Sequence, residues 1–485
     1  MTVIAIVVAF VVDFGIRVTA IIVVPRNRRP SSAMAWLLAI FLIPYLGVLV
    51  FLLIGSYKLP KKRRDKQQAI NDFIIETTEG IDRVSNDHPW PPWLRSVVEL
   101  NRTLGAMPLV GGNRARLIGD YAQSIAEMTA DVNAATKFVH CEFYIMAYDG
   151  VTADFFAALG NAVKRGVVVR VLLDHIASIR SPGHRQTVRQ LQKIGVIWHF
   201  MLPVQPLRGR YQRPDLRNHR KVLVIDGRVG YMGSQNMIDR SYNKRVNRRR
   251  GLKWKDLMTR VQGPIVNGLN AIFITDWYSE TDELLVRETE AITPDVIYDE
   301  ADALDCQVVP SGPGFDGENN LRLFLALLYY AQKKIIITSP YFVPDDAMLY
   351  AITTATQRGV EVQLFVSEIG DQALVYHAQR SYYEALLKAG VEVWMYRKPY
   401  ILHAKHFTID DDVAVIGSSN MDMRSFSLNM EVSMMVRGAS FVREMREVED
   451  GYRALSRRLT LDEWERQPLR STVLDNLARL TSGLQ

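Results

Sequence analysis

The stretch that decides the fold runs from Asn218 to Asn236, NHRKVLVIDGRVGYMGSQN, and it is answered from Leu402 to Asn420 by LHAKHFTIDDDVAVIGSSN. The first copy holds His219, Lys221 and Asp226 as H-x-K-x4-D, followed by Gly233, Ser234 and Asn236 as G-S-x-N. The second repeats the spacing with His403, Lys405, Asp410, Gly417, Ser418 and Asn420. Side chains alternate across an extended chain, so each His emerges beside its Lys. The apolar residues that follow predict a buried strand and a turn at Asp226-Gly227 or Asp410-Asp411-Asp412. A returning strand then delivers the Gly-Ser turn and the Asn. Ser and Asn side chains, with backbone N–H groups of such a turn, are donors suited to phosphate oxygens. Ser234, Asn236, Ser418 and Asn420 are therefore candidate phosphate ligands.

Outward from the motifs the flanks also repeat. AVKRGVVVRVLLD, ending at Asp174, is answered by ATQRGVEVQLFVS, ending at Ser367, and LQKIGVIWHF by LLKAGVEVWM. The first set predicts a strand over Asn133 to Tyr148, a helix over Asp154 to Arg165, a strand over Val167 to Asp174, a helix over His184 to Ile194 and a strand in VIWHFM. The second predicts a strand in KKIIITSP, a helix over Met348 to Arg358, a strand in VEVQLFVS, a helix over Tyr376 to Ala389 and a strand in VEVWMY. Apolar strands alternating with helices imply an α/β fold of two duplicated halves, 109–290 and 291–485, with mostly parallel sheets flanked by helices. The acidic residues from Leu284 to Ala303 mark the boundary. Pseudo-twofold packing of such halves is expected to bring His219 and His403 face to face.

At 485 residues and 48% hydrophobic content, the chain has material for two or three domains. Its net charge of +7 suits an acidic partner, nucleic acid or an anionic membrane, and charge alone does not separate them. Cys141 and Cys306 are the only cysteines and lie in apolar runs, which reads as two small buried hydrophobes rather than a disulfide framework or cysteine-rich metal site. His140, beside Cys141, has no metal-ligand spacing around it.

Ahead of the repeats, Thr2 to Val24 and Ala33 to Ile54 are apolar runs of about the ~20 residues that a helix needs to cross a bilayer. Joined by PRNRRPSS, they make residues 1–57 a candidate two-helix transmembrane anchor. A signal peptide is the rival reading of the first run, weakened by the missing positive start and the second run close behind. Asp13 and Arg17, one helical turn apart, are expected to pair, and Pro44 to kink the second helix. Lys58, Lys61, Lys62, Arg63, Arg64 and Lys66 outnumber Arg26, Arg28 and Arg29 in the turn, which favours a cytoplasmic body on a multi-pass protein of the cell membrane. The basic connector, 58–108, is also expected to be drawn to anionic headgroups, with Trp90 and Trp93 either at the interface or packed in the protein. Arg240 to Lys255 is a basic insertion around Trp254, read equally as a solvated loop or an anionic-lipid contact. The segment from Phe441 to Leu484 reads as an amphipathic helical end.

A lone H-x-K-x4-D is a weak signal; two copies, each with its G-S-x-N, are a strong one. The pair resembles the HKD signature of the phospholipase D superfamily. Nearly the whole chain is similar to the bacterial cardiolipin synthases of that superfamily, through IPYLGVLVFLLIG, CEFYIMAYDG, RNHRKVLVIDGRVGYMGSQNM and LHAKHFTIDDDVAVIGSSNMDMRS. The resemblance implies a membrane-bound phosphatidyltransferase that joins two phosphatidylglycerol molecules into cardiolipin and releases glycerol. It implies His219, Lys221, Asp226, His403, Lys405 and Asp410 as the catalytic set. His219 would be the nucleophile and His403 the general acid/base, although near-symmetric halves leave that order open. The resemblance also points to Asp256 and Glu431 as acids orienting the histidine of the opposite motif, with a plain salt bridge as the rival reading. Asp226 and Asp410, at strand ends, suit orienting or structural roles better than acid–base work.

Two ammonium groups and two amides can neutralise a phosphodiester as charge develops on its equatorial oxygens. A histidine nucleophile removes the need for a metal-activated water, so neither metal nor other cofactor is expected. The expected partners are phosphatidylglycerol and anionic membrane lipids, not nucleic acid, since a soluble nuclease has no use for an anchor. Oligomeric state is left open. A phospholipase D hydrolase, or a transferase using another alcohol, satisfies the same motifs. A non-catalytic lipid-binding scaffold would have no need of two intact His-Lys-Asn sets.

Overall fold

Each motif folds into the same hairpin. Lys221–Ile225 pairs antiparallel with Val229–Gly233, and His406–Ile409 with Val413–Gly417, each across a three-residue turn. The first turn residue, Asp226 or Asp410, takes a left-handed backbone at φ 54° or 50°, which aspartate tolerates better than most residues. The computed structural model of the chain describes residues 2–480 apart from 27, 29, 56–57, 79, 81–90 and 286–301. Most of the expected boundary between the halves, and Trp90, lie outside the described residues.

From its outer edge inward, the first half orders its strands Ile197–Met201, Val168–Asp174, Phe138–Phe143, Lys221–Ile225, Val229–Gly233, Met258–Gln262 and Leu109–Ile118. The second half has the same order in Glu392–Tyr396, Glu361–Ser367, Lys334–Thr338, His406–Ile409, Val413–Gly417, Asn429–Arg437 and Leu304–Ser311. The innermost strands, Leu109–Ile118 and Leu304–Ser311, pair antiparallel at the seam, so the halves share one sixteen-stranded mixed sheet. This corrects the expectation of mostly parallel sheets. The outer three strands of each half, joined by helical crossovers, run parallel, whereas the tight motif turns and the seam make the centre antiparallel.

Other differences are local. The expected strand over Asn133 to Tyr148 is confined to Phe138–Phe143, because the helix Tyr121–Ala134 runs into its start. The expected helix over Tyr376 to Ala389 is two helices, Ala373–Arg380 and Tyr383–Ala389. Within the C-terminal segment, Ser456–Leu459 is a strand that extends the outer edge beside Glu392–Tyr396. Cys141 and Cys306 are buried free thiols, and His140 stacks on Phe273 with its Nδ1 2.7 Å from Asn270 Oδ1.

The N-terminal segment has one helix long and apolar enough to cross a membrane, within α1 (Thr2–Val23). Asp13 and Arg17 pair along it at 2.8 Å, and the Arg17 guanidinium lies 5.3 Å from the Phe41 ring. Pro44 does more than kink the second run: it divides it into α2 (Pro30–Leu42) and α3 (Pro44–Ile54). A Cβ on Gly47 would come 2.8 Å from Ile40 Cα, so the two short helices meet at a sharp bend. At ~1.5 Å per residue neither reaches ~30 Å alone.

The basic segment after the anchor is engaged by the body. α4 (Lys61–Thr77) lies along the helix Ile265–Thr281, where Arg63 makes a two-pronged ion pair with Glu280 at 2.8 and 2.7 Å. Lys66 donates to Tyr278 O at 3.0 Å and pairs with Asp282, and Lys58 pairs with Asp316 at 2.6 Å. These cations are therefore partnered by acids rather than turned wholly to headgroups. α5 (Pro92–Gly105) packs into the second half, burying Leu94, Val97 and Val98 with Leu323, Phe324 and Leu327. Trp93 stacks on Tyr330 with ring centres 5.5 Å apart, which places it within the protein.

Candidate active site

Two short parallel pairings between the halves set the histidines. Arg217–Asn218 lies beside Asn429–Met430, so the next residues, His219 and Glu431, stand side by side. Lys253–Lys255 lies beside Tyr400–Leu402, so His403 and Asp256 follow in the same way. The His219 N–H donates to Met430 O at 2.9 Å and the His403 N–H to Lys255 O at 2.7 Å. Each catalytic candidate is thus fixed at its backbone by the opposite half.

The side chains repeat the crossing. His219 Nδ1 is 3.0 and 3.1 Å from the carboxylate oxygens of Glu431, and His403 Nδ1 is 2.7 Å from Asp256 Oδ1. His219 Nδ1 also lies 3.1 Å from Ser418 O; a carbonyl or an ionised carboxylate only accepts, so each ring carries its proton on Nδ1 and keeps the Nε2 lone pair free. The two sets converge, since Lys405 acts on His219 and Lys221 on His403. Both lysines are buried, and each turns its Nζ back to the carbonyl of its own histidine, at 2.5 Å for Lys405 and His403.

Burial, then the two ammonium groups, holds His219 well below the usual imidazole range. Burial and Lys405 pull His403 down to about 4, against Asp256. Burial brings Lys405 down to about 8, opposed by Asp256 and Glu431. The carboxyls differ. Burial pushes Glu431 up to about 7 against Lys221 and Ser418, whereas for Asp256 burial is outweighed by His403, Lys405 and Ser234, leaving it below the ordinary carboxylate range.

The G-S-x-N residues do not all take the expected place. Ser234 Oγ donates to Asp256 Oδ1 at 2.7 Å and accepts from Leu257 N at 3.0 Å; Ser418 does the same with Glu431 and Val432. A hydroxyl has one proton, so in this arrangement both serines brace the acids. Asn236 donates to Tyr242 Oη at 2.8 Å and accepts from Ile145 N at 3.1 Å, while Asn420 Oδ1 is buried without a hydrogen-bond partner among the described residues. A Cβ on Gly233 or Gly417 would overlap the carbonyl of Leu257 or Val432, so the signature glycine lets the acid-bearing strand approach.

Asp226 and Asp410 face away from the histidines. Asp226 accepts from the backbone N–H groups of Thr136, Lys137 and Phe138 at 2.7–2.9 Å, and Asp410 from those of Gln332, Lys333 and Lys334 at 2.7–3.3 Å. Each carboxylate fastens the motif turn to the start of the neighbouring strand, the structural role among the expected ones. The basic insertion is not a free loop: its Trp254 is buried, stacks obliquely on Tyr242 at 4.7 Å and joins Ile238, Leu252 and Ile401.

The family model described as "Cardiolipin synthase, PLD-like domain" matches residues 128–277 and 324–450, and that described as "Phospholipase_D-nuclease N-terminal" matches 15–56. Cardiolipin synthase A of Proteus mirabilis (strain HI4320) is 32% identical over 464 residues, 94% of this chain and 94% of its own. The chain belongs to the cardiolipin synthase family. Cardiolipin synthase A of Wigglesworthia glossinidia brevipalpis is likewise 32% identical over 465 residues, 95% of this chain and 92% of its own. The fold is shared with phosphatidylserine synthase of Haemophilus influenzae Rd KW20, at a TM-score of 0.60 and 14% identity over 82% of this chain and 100% of that one.

Three residues beside the motifs escape sequence reasoning. Tyr144 sets its ring edge-on to His219 at 4.9 Å and lies 5.3 Å from Lys221 Nζ. Tyr242 holds Asn236. Arg220 is buried, pairs with Asp276 and donates its Nε to Glu431 O at 3.1 Å. A charged residue between the His and Lys of the first motif, where the second has Ala404, was the available signal.

Proposed function

We propose that this enzyme transfers the phosphatidyl group of one phosphatidylglycerol to a glycerol hydroxyl of a second, forming cardiolipin and releasing glycerol. The observation that carries this reading is the crossed pairing of each imidazole with a carboxylate of the opposite half. His219 Nε2 attacks phosphorus in line with the departing glycerol oxygen, giving a phosphatidyl-histidine, and His403 supplies the proton to that oxygen. His403 is neutral in the free site, so its proton arrives as the bound phosphodiester anion raises its basicity. It next removes the proton of the incoming hydroxyl, whose oxygen takes phosphorus back from His219. The ionised Asp256 behind His403 supports the acid–base role for that ring. Lys221, Lys405, Asn236 and Asn420 gather the equatorial oxygens, and a lipid-facing site that excludes water favours transfer over hydrolysis.

In this reading α1 and the bent α2–α3 pair both enter the cell membrane, and the positive residues after α3 keep the body cytoplasmic. Incubation with labelled phosphatidylglycerol tests the chemistry. His219→Ala and His403→Ala both lose cardiolipin formation, and only the latter retains a labelled protein adduct. Full activity in either variant overturns the mechanism, and phosphatidic acid without cardiolipin from the wild type assigns a hydrolase instead.

A further inference from the structure

The hairpin just before the first motif has an unexplained exposed tip. Val204–Gln205 pairs antiparallel with Arg210–Tyr211 around the turn Pro206–Arg208, and Leu207 at its end is fully exposed. Arg210 and Tyr211, which follow the tip, are exposed, whereas Arg213 is turned to Asp215 in a two-pronged ion pair. Apolar tip, tyrosine and arginine together make a segment suited to the boundary between headgroups and acyl chains.

Its attachments point the same way. Tyr211 Oη lies 3.4 Å from Leu53 O, in the last turns of the apolar α3. At the hairpin root, the Leu202 N–H donates at 2.8 Å to Glu280, the carboxylate that also holds Arg63 of α4. Val204 N donates to His175 Nδ1 at 3.1 Å, on the short helix that begins after Asp174. Asp174 in turn accepts from Asn218 N at 2.9 Å, one residue before His219. A continuous run of contacts therefore joins the anchor, the hairpin and the first catalytic histidine.

We infer that residues 204–211 are an interfacial wedge, with Leu207 seated among the acyl chains of the anionic bilayer that holds the anchor and Arg210 at its headgroups. This rests on the proposed membrane placement of α1–α3. The wedge would give the body a second point of attachment and hold the His219 side of the site at the lipid surface.

Because Cys141 and Cys306 are buried, a single introduced cysteine in the full chain can be labelled without removing either. Leu207→Cys, labelled with an environment-sensitive maleimide, is placed in phosphatidylglycerol vesicles containing spin-labelled lipid. Leu52→Cys in the anchor is the buried control. Lys164→Cys, at the end of the helix Ala153–Lys164 that precedes the strand finishing at Asp174, is the exposed one. The expected result is a blue shift and lipid quenching at 207 close to those at 52, with neither at 164. Quenching at 207 no greater than at 164, while 52 is quenched, overturns the wedge and leaves the anchor standing. No quenching at 52 overturns the membrane placement itself. Protection at 207 from a soluble quencher without lipid quenching puts a protein there instead, and also overturns the inference. As a second measurement, Leu207→Asp should lose turnover of bilayer phosphatidylglycerol while turnover of short-chain, monomeric phosphatidylglycerol is kept; equal loss on both refutes the interfacial role.

Discussion

Asp256→Asn isolates the charge behind His403 from the shape that holds it. Oδ1 receives both His403 Nδ1 and Ser234 Oγ, at 2.7 Å each, while Oδ2 has no hydrogen-bond partner among the described residues. An amide can therefore keep Oδ1 in place and put its NH2 where Oδ2 stood, displacing no donor. What it loses is the negative charge opposite an imidazolium. For unit charges ~4 Å apart at an effective dielectric constant of about 20, that attraction is worth ~4 kcal/mol. The retained hydrogen bond leaves a net loss of about 2–4 kcal/mol in the transition state. At 1.36 kcal/mol per decade, turnover should fall roughly 30- to 1000-fold. The assay is conversion of labelled phosphatidylglycerol to cardiolipin across pH, with thermal unfolding as the check on folding. A second readout separates a charge effect from damage: Asp256 supports the protonated form of Lys405, so the alkaline limb set by that lysine should move below about 8. A folded variant with turnover within ~3-fold of wild type, or with the alkaline limb unmoved, refutes the role given to Asp256.

The remaining predictions test the rest of the arrangement. In the wild type, kcat/KM should fall as pH drops through about 7, where protonated Glu431 no longer supports charge on His219, and fall again as pH rises through about 8, where Lys405 loses its charge; Glu431→Gln should remove the acid limb. Asp410→Ala should destabilise by about 1–3 kcal/mol through the freed N–H groups of Gln332, Lys333 and Lys334, while turnover per folded molecule, measured at low temperature, stays near wild type. Trp254→Ala should cost about 3–5 kcal/mol in chemical denaturation and lower turnover as well, since the strand it packs leads directly to Asp256.

How far these residues were legible depends on what kind of signal each one leaves. The motif hairpins repeat at equal internal spacing and their flanks repeat in the same order, so the duplication and the order of the outer strands could be read directly. The direction of the central strands could not: alternation marks a strand, but the seam between Leu109–Ile118 and Leu304–Ser311 pairs residues nearly two hundred positions apart. The orienting acids break the repeat. Asp256 stands 22 residues after Ser234, but Glu431 only 13 after Ser418, because the first half carries the basic insertion. Their spacing therefore says nothing, and only resemblance to the family pointed to them. The hydrogen bonds from the two serines to these acids were hidden for the same reason, since they join residues at unequal separations.

The insertion shows how the asymmetry serves the site. Lys253 and Lys255 bracket Trp254 with the alternation of a strand, and it is this strand that carries Asp256 to Tyr400–Leu402 and so to His403. The second half reaches His219 with a single long strand, Asn429–Arg437, whose first residues pair with Arg217–Asn218 before it enters the main sheet. Two different routes thus end in the same acid–imidazole geometry. Since each imidazole takes both its backbone anchor and its carboxylate from the other half, neither half alone supplies the groups that orient its histidine. On the proposed mechanism the reacting centre forms only when the two halves pack, which makes the interface between them as much a part of the chemistry as the motifs themselves.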